Sequence, residues 1–201
     1  MRAAGAVKAA RPGRPEDRKT EEATHVDDLG LRLLAASYLE GDFVLRSGRR
    51  SRFYLDKYLF ETQPDLLRDI AKGLADKLPA YRPFDLLAGP ELGAVALVTA
   101  LALESGTPFV IVRKGAKGYG TDKAMEGRAE AGQRVVIVED VVTSGGAALQ
   151  AADKLREAGL DVAALLCVVD REEGGREQIE AAGLTFDPLF TATSLGIKKP
   201  G

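Results

Sequence analysis

From residue 64 onward the apolar positions switch repeatedly between the periodicity of a helix and that of a strand, and the switching predicts alternating helices and strands. A helix over 64–77 precedes a strand over 85–88, and a helix over 91–104 precedes a strand over 109–113. A strand over 134–139 feeds a helix over 145–158, one over 162–169 feeds a helix over 176–182, and 184–190 forms a last extended piece. Val135-Val136-Ile137-Val138 has no polar alternation, which suits a strand covered on both faces of a parallel sheet. The order implies an α/β sandwich around a mainly parallel sheet, with ligands at the carboxyl ends of its strands.

Upstream, residues 26–40 read as an amphipathic helix with Leu29, Leu33, Ala36 and Tyr38-Leu39 among its apolar positions and Gly41 as its stop. Short extended segments over 43–46 and 52–58, joined by the polar turn Ser47-Gly48-Arg49-Arg50, would form a small hood over the main domain. No internal repeat or shift of composition marks a second full domain.

Length and composition narrow this picture. With 201 residues, 45% hydrophobic and 29% charged, the chain suits one globular domain with a proper core. A formal net charge of -2 gives no global pull towards nucleic acid or an anionic membrane, so a polyanionic substrate has to meet a local basic cluster. Cys167 is the single cysteine and lies in an apolar run, a buried small hydrophobe of a reducing compartment that can form no intrachain disulfide. His25 is the single histidine, which argues against a Ser-His-Asp triad, a Cys-His pair or a multi-histidine zinc site. No apolar stretch reaches the roughly 18 to 20 residues of a membrane span and no signal core is visible, so a cytoplasmic protein is expected. Arg2, Lys8, Arg11 and Arg14 come without an acid, as in an organellar transit peptide. Pro12, Gly13, Pro15 and the lack of an apolar face instead favour a disordered tail over residues 1–25.

The chemistry concentrates in Val135 to Ala147, reading VVIVEDVVTSGGA. The strand ends on Glu139 and Asp140, and Thr143, Ser144, Gly145 and Gly146 turn into a helix, whose free N–H groups and positive dipole end make an anion site. Glycine admits a phosphate close to the backbone, and the Thr143 and Ser144 hydroxyls add donors. Thr143 could also cap the helix, and the two roles could coexist. The two carboxylates would repel a phosphate unless they serve ribose hydroxyls or Mg2+ beside it. Neither the Walker loop nor the dinucleotide G-x-G-x-x-G fingerprint fits the spacing.

This segment resembles the phosphoribosyl pyrophosphate (PRPP) signature of the type I phosphoribosyltransferases. The resemblance narrows to the orotate phosphoribosyltransferase family through Phe43 to Gly48 followed by Phe53-Tyr54-Leu55-Asp56, then Ala88-Gly89-Pro90-Glu91-Leu92-Gly93, Val112 to Gly120, and Val169-Asp170-Arg171. Together these span about residues 40 to 175 in family order. It implies a type I phosphoribosyltransferase fold over residues 26–201, with a hood from about 26–62 plus the C-terminal segment and a flexible lid over 113–127. It also implies a Mg2+-dependent transfer of ribose 5-phosphate from PRPP to orotate in pyrimidine synthesis, by a homodimer whose lid acts on the neighbouring subunit. Breaking the anomeric bond leaves positive charge on ribose and negative charge on pyrophosphate, so catalysis would be electrostatic placement rather than covalent attack.

Carried onto this chain, the resemblance has Val141, Val142, Thr143, Ser144, Gly145, Gly146 and Ala147 holding the 5′-phosphate. Glu139 and Asp140 would hold the ribose hydroxyls directly or through Mg2+, the metal being bound mainly by PRPP itself. Arg113, Lys114, Lys117 and Lys123 would make the lid cationic, with Lys117 neutralising the leaving pyrophosphate. The alternative reading of that segment is a solvated charged loop. Orotate would meet Arg171, as a bidentate fork for its carboxylate, with Arg46, Phe53, Tyr54 and Thr143. A salt bridge from Arg171 to Glu172 or Glu173 and buried packing of Phe53 and Tyr54 are the structural counterparts. Three positions depart from the pattern: Leu92 and Arg46 where lysine is common, and Tyr119 where histidine is common. Two further readings keep the fold: a transferase for another base, and a PRPP-sensing regulator. The mild charge and the short N-terminal segment leave little for a nucleic-acid module.

Overall fold

The computed structural model describes residues 28–44, 50–115 and 124–197. The expected tail, the turn Ser47 to Arg49, and Arg46, Lys117, Tyr119 and Lys123 lie outside these residues.

Helix α1 covers residues 28–37 and gives way directly to strand β1 (Tyr38–Val44), which pairs antiparallel with β2 (Arg50–Leu55). The expected helix over 26–40 therefore ends early. Tyr38 faces Leu55 and its ring stacks on Phe53 at 5.6 Å, a cross-strand contact that helix geometry could not supply. Gly41 does not stop a helix; it lies in β1, where the register shifts between Glu40 and Phe43. The expected extension through Tyr58 is also cut short. Asp56 accepts from the Tyr58 N–H and caps a short helix, α2 (Lys57–Glu61).

Helix α3 (Pro64–Ala75) starts on a proline in its first turn and buries one stripe, Leu66, Ile70, Ala71 and Leu74. It ends before the predicted Lys77, and a tighter turn, Leu78–Tyr81, leads on to β3 (Leu86–Pro90). Then come α4 (Ala94–Ser105), β4 (Phe109–Val112), a two-residue β5 (Met125–Glu126), β6 (Arg134–Val142), α5 (Gly146–Glu157), β7 (Asp161–Asp170), α6 (Gly175–Ala181) and β8 (Thr185–Thr191).

Among the described residues the main sheet has the order β5-β4-β3-β6-β7-β8, parallel except for β5. Its two faces are both covered, as the unbroken apolar run in β6 predicts. Val136 and Val138 pack with α1, α3 and α4 through Leu33, Ile70 and Leu97, while Val135 and Ile137 pack with α5 and α6 through Leu155 and Ile179. Each such fully buried side chain contributes roughly 1.5–3 kcal/mol. The C-terminal segment closes on α1, since a side chain at Gly30 would meet Leu195 and Phe190.

The strand order fixes where a ligand can sit. The chain runs outward from β3 to β4, then returns across β3 to β6 on the other side. The crevice of an open parallel sheet lies at such a reversal, outside the carboxyl ends of β3 and β6. No helix among the described residues is long and apolar enough to cross a membrane.

Candidate functional site

β6 continues to Val142, three positions beyond the expected end, because Val142 still pairs with Asp170 of β7. Glu139 and Asp140 thus belong to the strand and leave its backbone on opposite faces. Glu139 follows Val135 and Ile137 and borders a cavity of about 570 Å³, formed also by Tyr54, Val141 to Ala148, Arg171 and Glu173. Asp140 follows Val136 and Val138 to the other side, where Lys57 Nζ lies 2.5 Å from its Oδ2. At the strand end the two carboxyls still reach one another.

Thr143 does not cap α5. The cap position belongs to Gly145, at φ 79°, a left-handed conformation that glycine adopts freely and that leaves no side chain over the helix end. The N–H groups of the first turn of α5 have no intrahelical acceptor and open on the cavity, with Thr143 and Ser144 exposed beside them. Such an open helix start, built of backbone, suits an anion.

Across the cavity, Arg171 follows β7 and is 8% exposed. Its Cζ lies 5.0 Å from the centre of the Phe53 ring, and Nη2 lies 2.8 Å from Glu173 Oε1 without the alignment of a hydrogen bond. The expected salt bridge is therefore present, but it is buried rather than on the surface. Phe53 is buried under Tyr38, whereas Tyr54 borders the cavity with its ring 5.6 Å from Phe43.

Electrostatics separates the acids. Burial first, and Asp140 second, push the Glu139 carboxyl well above its ordinary value, and its Oε2 is buried without a hydrogen bond. Asp140 instead accepts from Lys57 and from the Val141 N–H. Glu61 of α2 is buried as well, with Oε1 unbonded; burial and then Asp140 push it up to about 8 against the pull of Lys57. Among the described residues no three His, Cys, Asp or Glu side chains are grouped to hold a metal. A hard cation here could draw on the unbonded Glu139 oxygen, with its other ligands coming from a bound polyanion.

The described residues of the expected lid divide. Arg113 turns to Glu126 on β5 at 3.2 Å, and the Lys114 N–H donates to Glu91 Oε1 at 2.6 Å. Lys154 of α5 donates to the carbonyls of Arg113 and Lys114, at 2.5 and 2.9 Å. The β3–α4 loop lies beside the acids, and the atoms of the Lys57–Asp140 pair fill the space that a Gly93 side chain would need. Leu92 is 66% exposed there. Sequence reasoning missed Lys57 and Glu61. The available signal was a cation and an acid inside the apolar run from Phe53 to Phe60 and its edge.

Residues 60–185 match the family described as "Phosphoribosyl transferase domain". A relative from Methanocella arvoryzae, named orotate phosphoribosyltransferase, is 49% identical over 160 residues, covering 80% of this chain and 90% of that protein. One of the same name from Halobacterium salinarum is 48% identical over 170 residues, covering 84% and 95%. The crystal structure of Mycobacterium tuberculosis orotate phosphoribosyltransferase in complex with PRPP superposes with a TM-score of 0.72 at 29% identity, covering 86% of this chain and 99% of that one.

Proposed function

The chain belongs to the orotate phosphoribosyltransferase family, with its type I phosphoribosyltransferase fold, and from that premise we propose how its residues transfer ribose 5-phosphate from PRPP to orotate in pyrimidine synthesis. The 5′-phosphate sits in the backbone cradle of Val141 to Ala147, where the dipole of α5 and the Thr143 and Ser144 hydroxyls favour it. The ribose hydroxyls donate to Glu139 and Asp140. Glu139 is the carboxylate with an oxygen to spare, and bound hydroxyls or a cation would draw its raised pKa back down.

Glu139 is the protein residue that would hold Mg2+ alongside PRPP oxygens, and the ion would supply positive charge for the pyrophosphate. Lys114, Lys117 and Arg113 add positive charge from the lid, Lys117 on the strength of the resemblance, and the lid closes on the neighbouring subunit of a homodimer. The hairpin β1–β2 is the hood over the base. The protein acts in the cytoplasm.

The observation that carries the choice of base is Arg171: a buried guanidinium, stacked on Phe53, with an Nη2 that makes no hydrogen bond, across the cavity from the phosphate cradle. A base bearing a carboxylate satisfies the fork. A purine has no such group. The test is to mix the protein with Mg2+, PRPP and orotate and follow the orotate absorbance. Loss of absorbance is expected; turnover of adenine, hypoxanthine or uracil without turnover of orotate would overturn the assignment.

A further inference from the structure

Lys57 lies outside the residues that the proposed function employs, yet it occupies the topological reversal of the sheet. Its Nζ makes an ion pair with Asp140, whose side chain is 2% exposed, and both charged atoms lie over the Gly93 backbone. An ammonium has three N–H donors. One is given to Asp140, and the Lys57 side chain keeps 28% of its surface exposed beside the β3–α4 loop. Its Nζ lies 5.4 Å from the centre of the Tyr58 ring. Burial alone would lower the Lys57 pKa, but Asp140 outweighs that and holds the ammonium charged.

The three parts of PRPP can be laid along this geometry. Its 5′-phosphate takes the cradle at α5, on the face of β6 that carries Glu139. The ribose takes the acids. What remains is the diphosphate, on the side of β6 that carries Asp140 and adjoins Gly93. An anion arriving there meets a buried carboxylate first, unless a cation stands between them. Lys57 is that cation.

We propose that Lys57 is a substrate-binding residue for the diphosphate of PRPP, presented by α2 and bridging Asp140 to a phosphate lodged beside the β3–α4 loop. The assignment rests on the reading of the chain as a PRPP-dependent transferase. It also gives a local source of charge at a loop where Leu92 supplies none. Lys57 has two tasks, to pair Asp140 and to take the diphosphate, and they are separable.

Calorimetric titrations of the wild type, Lys57→Arg, Lys57→Met and the double variant Lys57→Met/Asp140→Asn with PRPP, pyrophosphate and ribose 5-phosphate separate them. Lys57→Met is expected to weaken PRPP and pyrophosphate about tenfold or more, the scale of one charge-assisted hydrogen bond, and ribose 5-phosphate by under about threefold. Lys57→Arg keeps the charge and is expected to retain most of the diphosphate affinity, which also guards against a misfolded Met variant. The double variant removes the unpaired buried acid and should still bind pyrophosphate weakly. Unchanged pyrophosphate binding in Lys57→Met, equal losses for ribose 5-phosphate, or recovery in the double variant would overturn the assignment while leaving the transferase reading intact. A wild type that binds neither PRPP nor pyrophosphate would remove both.

Discussion

The Arg171 guanidinium lies over the Phe53 ring at 5.0 Å, a contact that joins the end of β7 to the second strand of the hairpin. Glu173 stands beside the same guanidinium, so the pocket already holds a carboxylate where a substrate carboxylate would compete. Arg171→Lys keeps the charge but loses both the planar stack and the fork. Steady-state kinetics should show KM for orotate rising about tenfold or more, with KM for PRPP within about threefold. Equal losses for the two substrates would detach Arg171 from the base.

Glu61 gives a pH dependence with a definite sign. Its carboxyl titrates near 4.5 when exposed and at about 8 in the folded chain, through burial and then Asp140. Between those values the folded chain holds a proton that the unfolded chain has released, so stability falls as pH rises through the window and levels off above it. Glu61→Gln has no proton to lose. Its melting temperature relative to wild type is expected to climb steadily from about pH 5 to about pH 8. Parallel curves for the two proteins would show that Glu61 ionises freely.

The sheet was legible because it is written in local composition. The unbroken apolar run from Val135 to Val138 dictates a doubly covered strand, and the Thr143 to Gly146 turn dictates an open helix start; both stand as read. What escaped depends on partners distant in sequence. Tyr38 and Leu39 fit a helix by periodicity, but pairing with Leu55 and Tyr54 draws them into a strand. Lys57 lies 83 positions from Asp140, and no spacing rule links them. Gly93 shows the same limit. Its neighbours in sequence, Ala88 to Leu92, marked a family motif, whereas its most constraining contacts come from α2 and β6.

Lys154 ties the start of the 113–127 segment to α5 by donating to the Arg113 and Lys114 carbonyls. Lys154→Met removes both bonds and leaves the helix otherwise intact. Hydrogen exchange in peptides covering 109–115 is expected to quicken, while the melting temperature drops only a few degrees, about the effect of one or two net hydrogen bonds. The kcat should fall severalfold if this tether positions Lys114 for the reaction. Unchanged exchange would mean that the segment is held by its other contacts, among them the Glu91 bond to the Lys114 N–H and the Arg113 N–H bond to Ala124.

Gly93 is constrained by space rather than by conformation. Its backbone sits at φ -57° and ψ -48°, ordinary helical values that alanine adopts without strain. A methyl group there would nonetheless coincide with the atoms of the Lys57–Asp140 pair. Lys57 ends a flexible chain and can swing aside, but Asp140 is buried and cannot follow it. Gly93→Ala should therefore part the pair and leave a buried carboxylate without its cation, at a cost of about 3–5 kcal/mol if nothing relaxes. The expected signature is a lowered melting temperature together with a loss of kcat/KM for PRPP of about a hundredfold. Adding Asp140→Asn removes the stranded charge, so the double variant should recover stability without recovering activity. A Gly93→Ala enzyme with wild-type kinetics would mean that the ion pair has no part in binding PRPP.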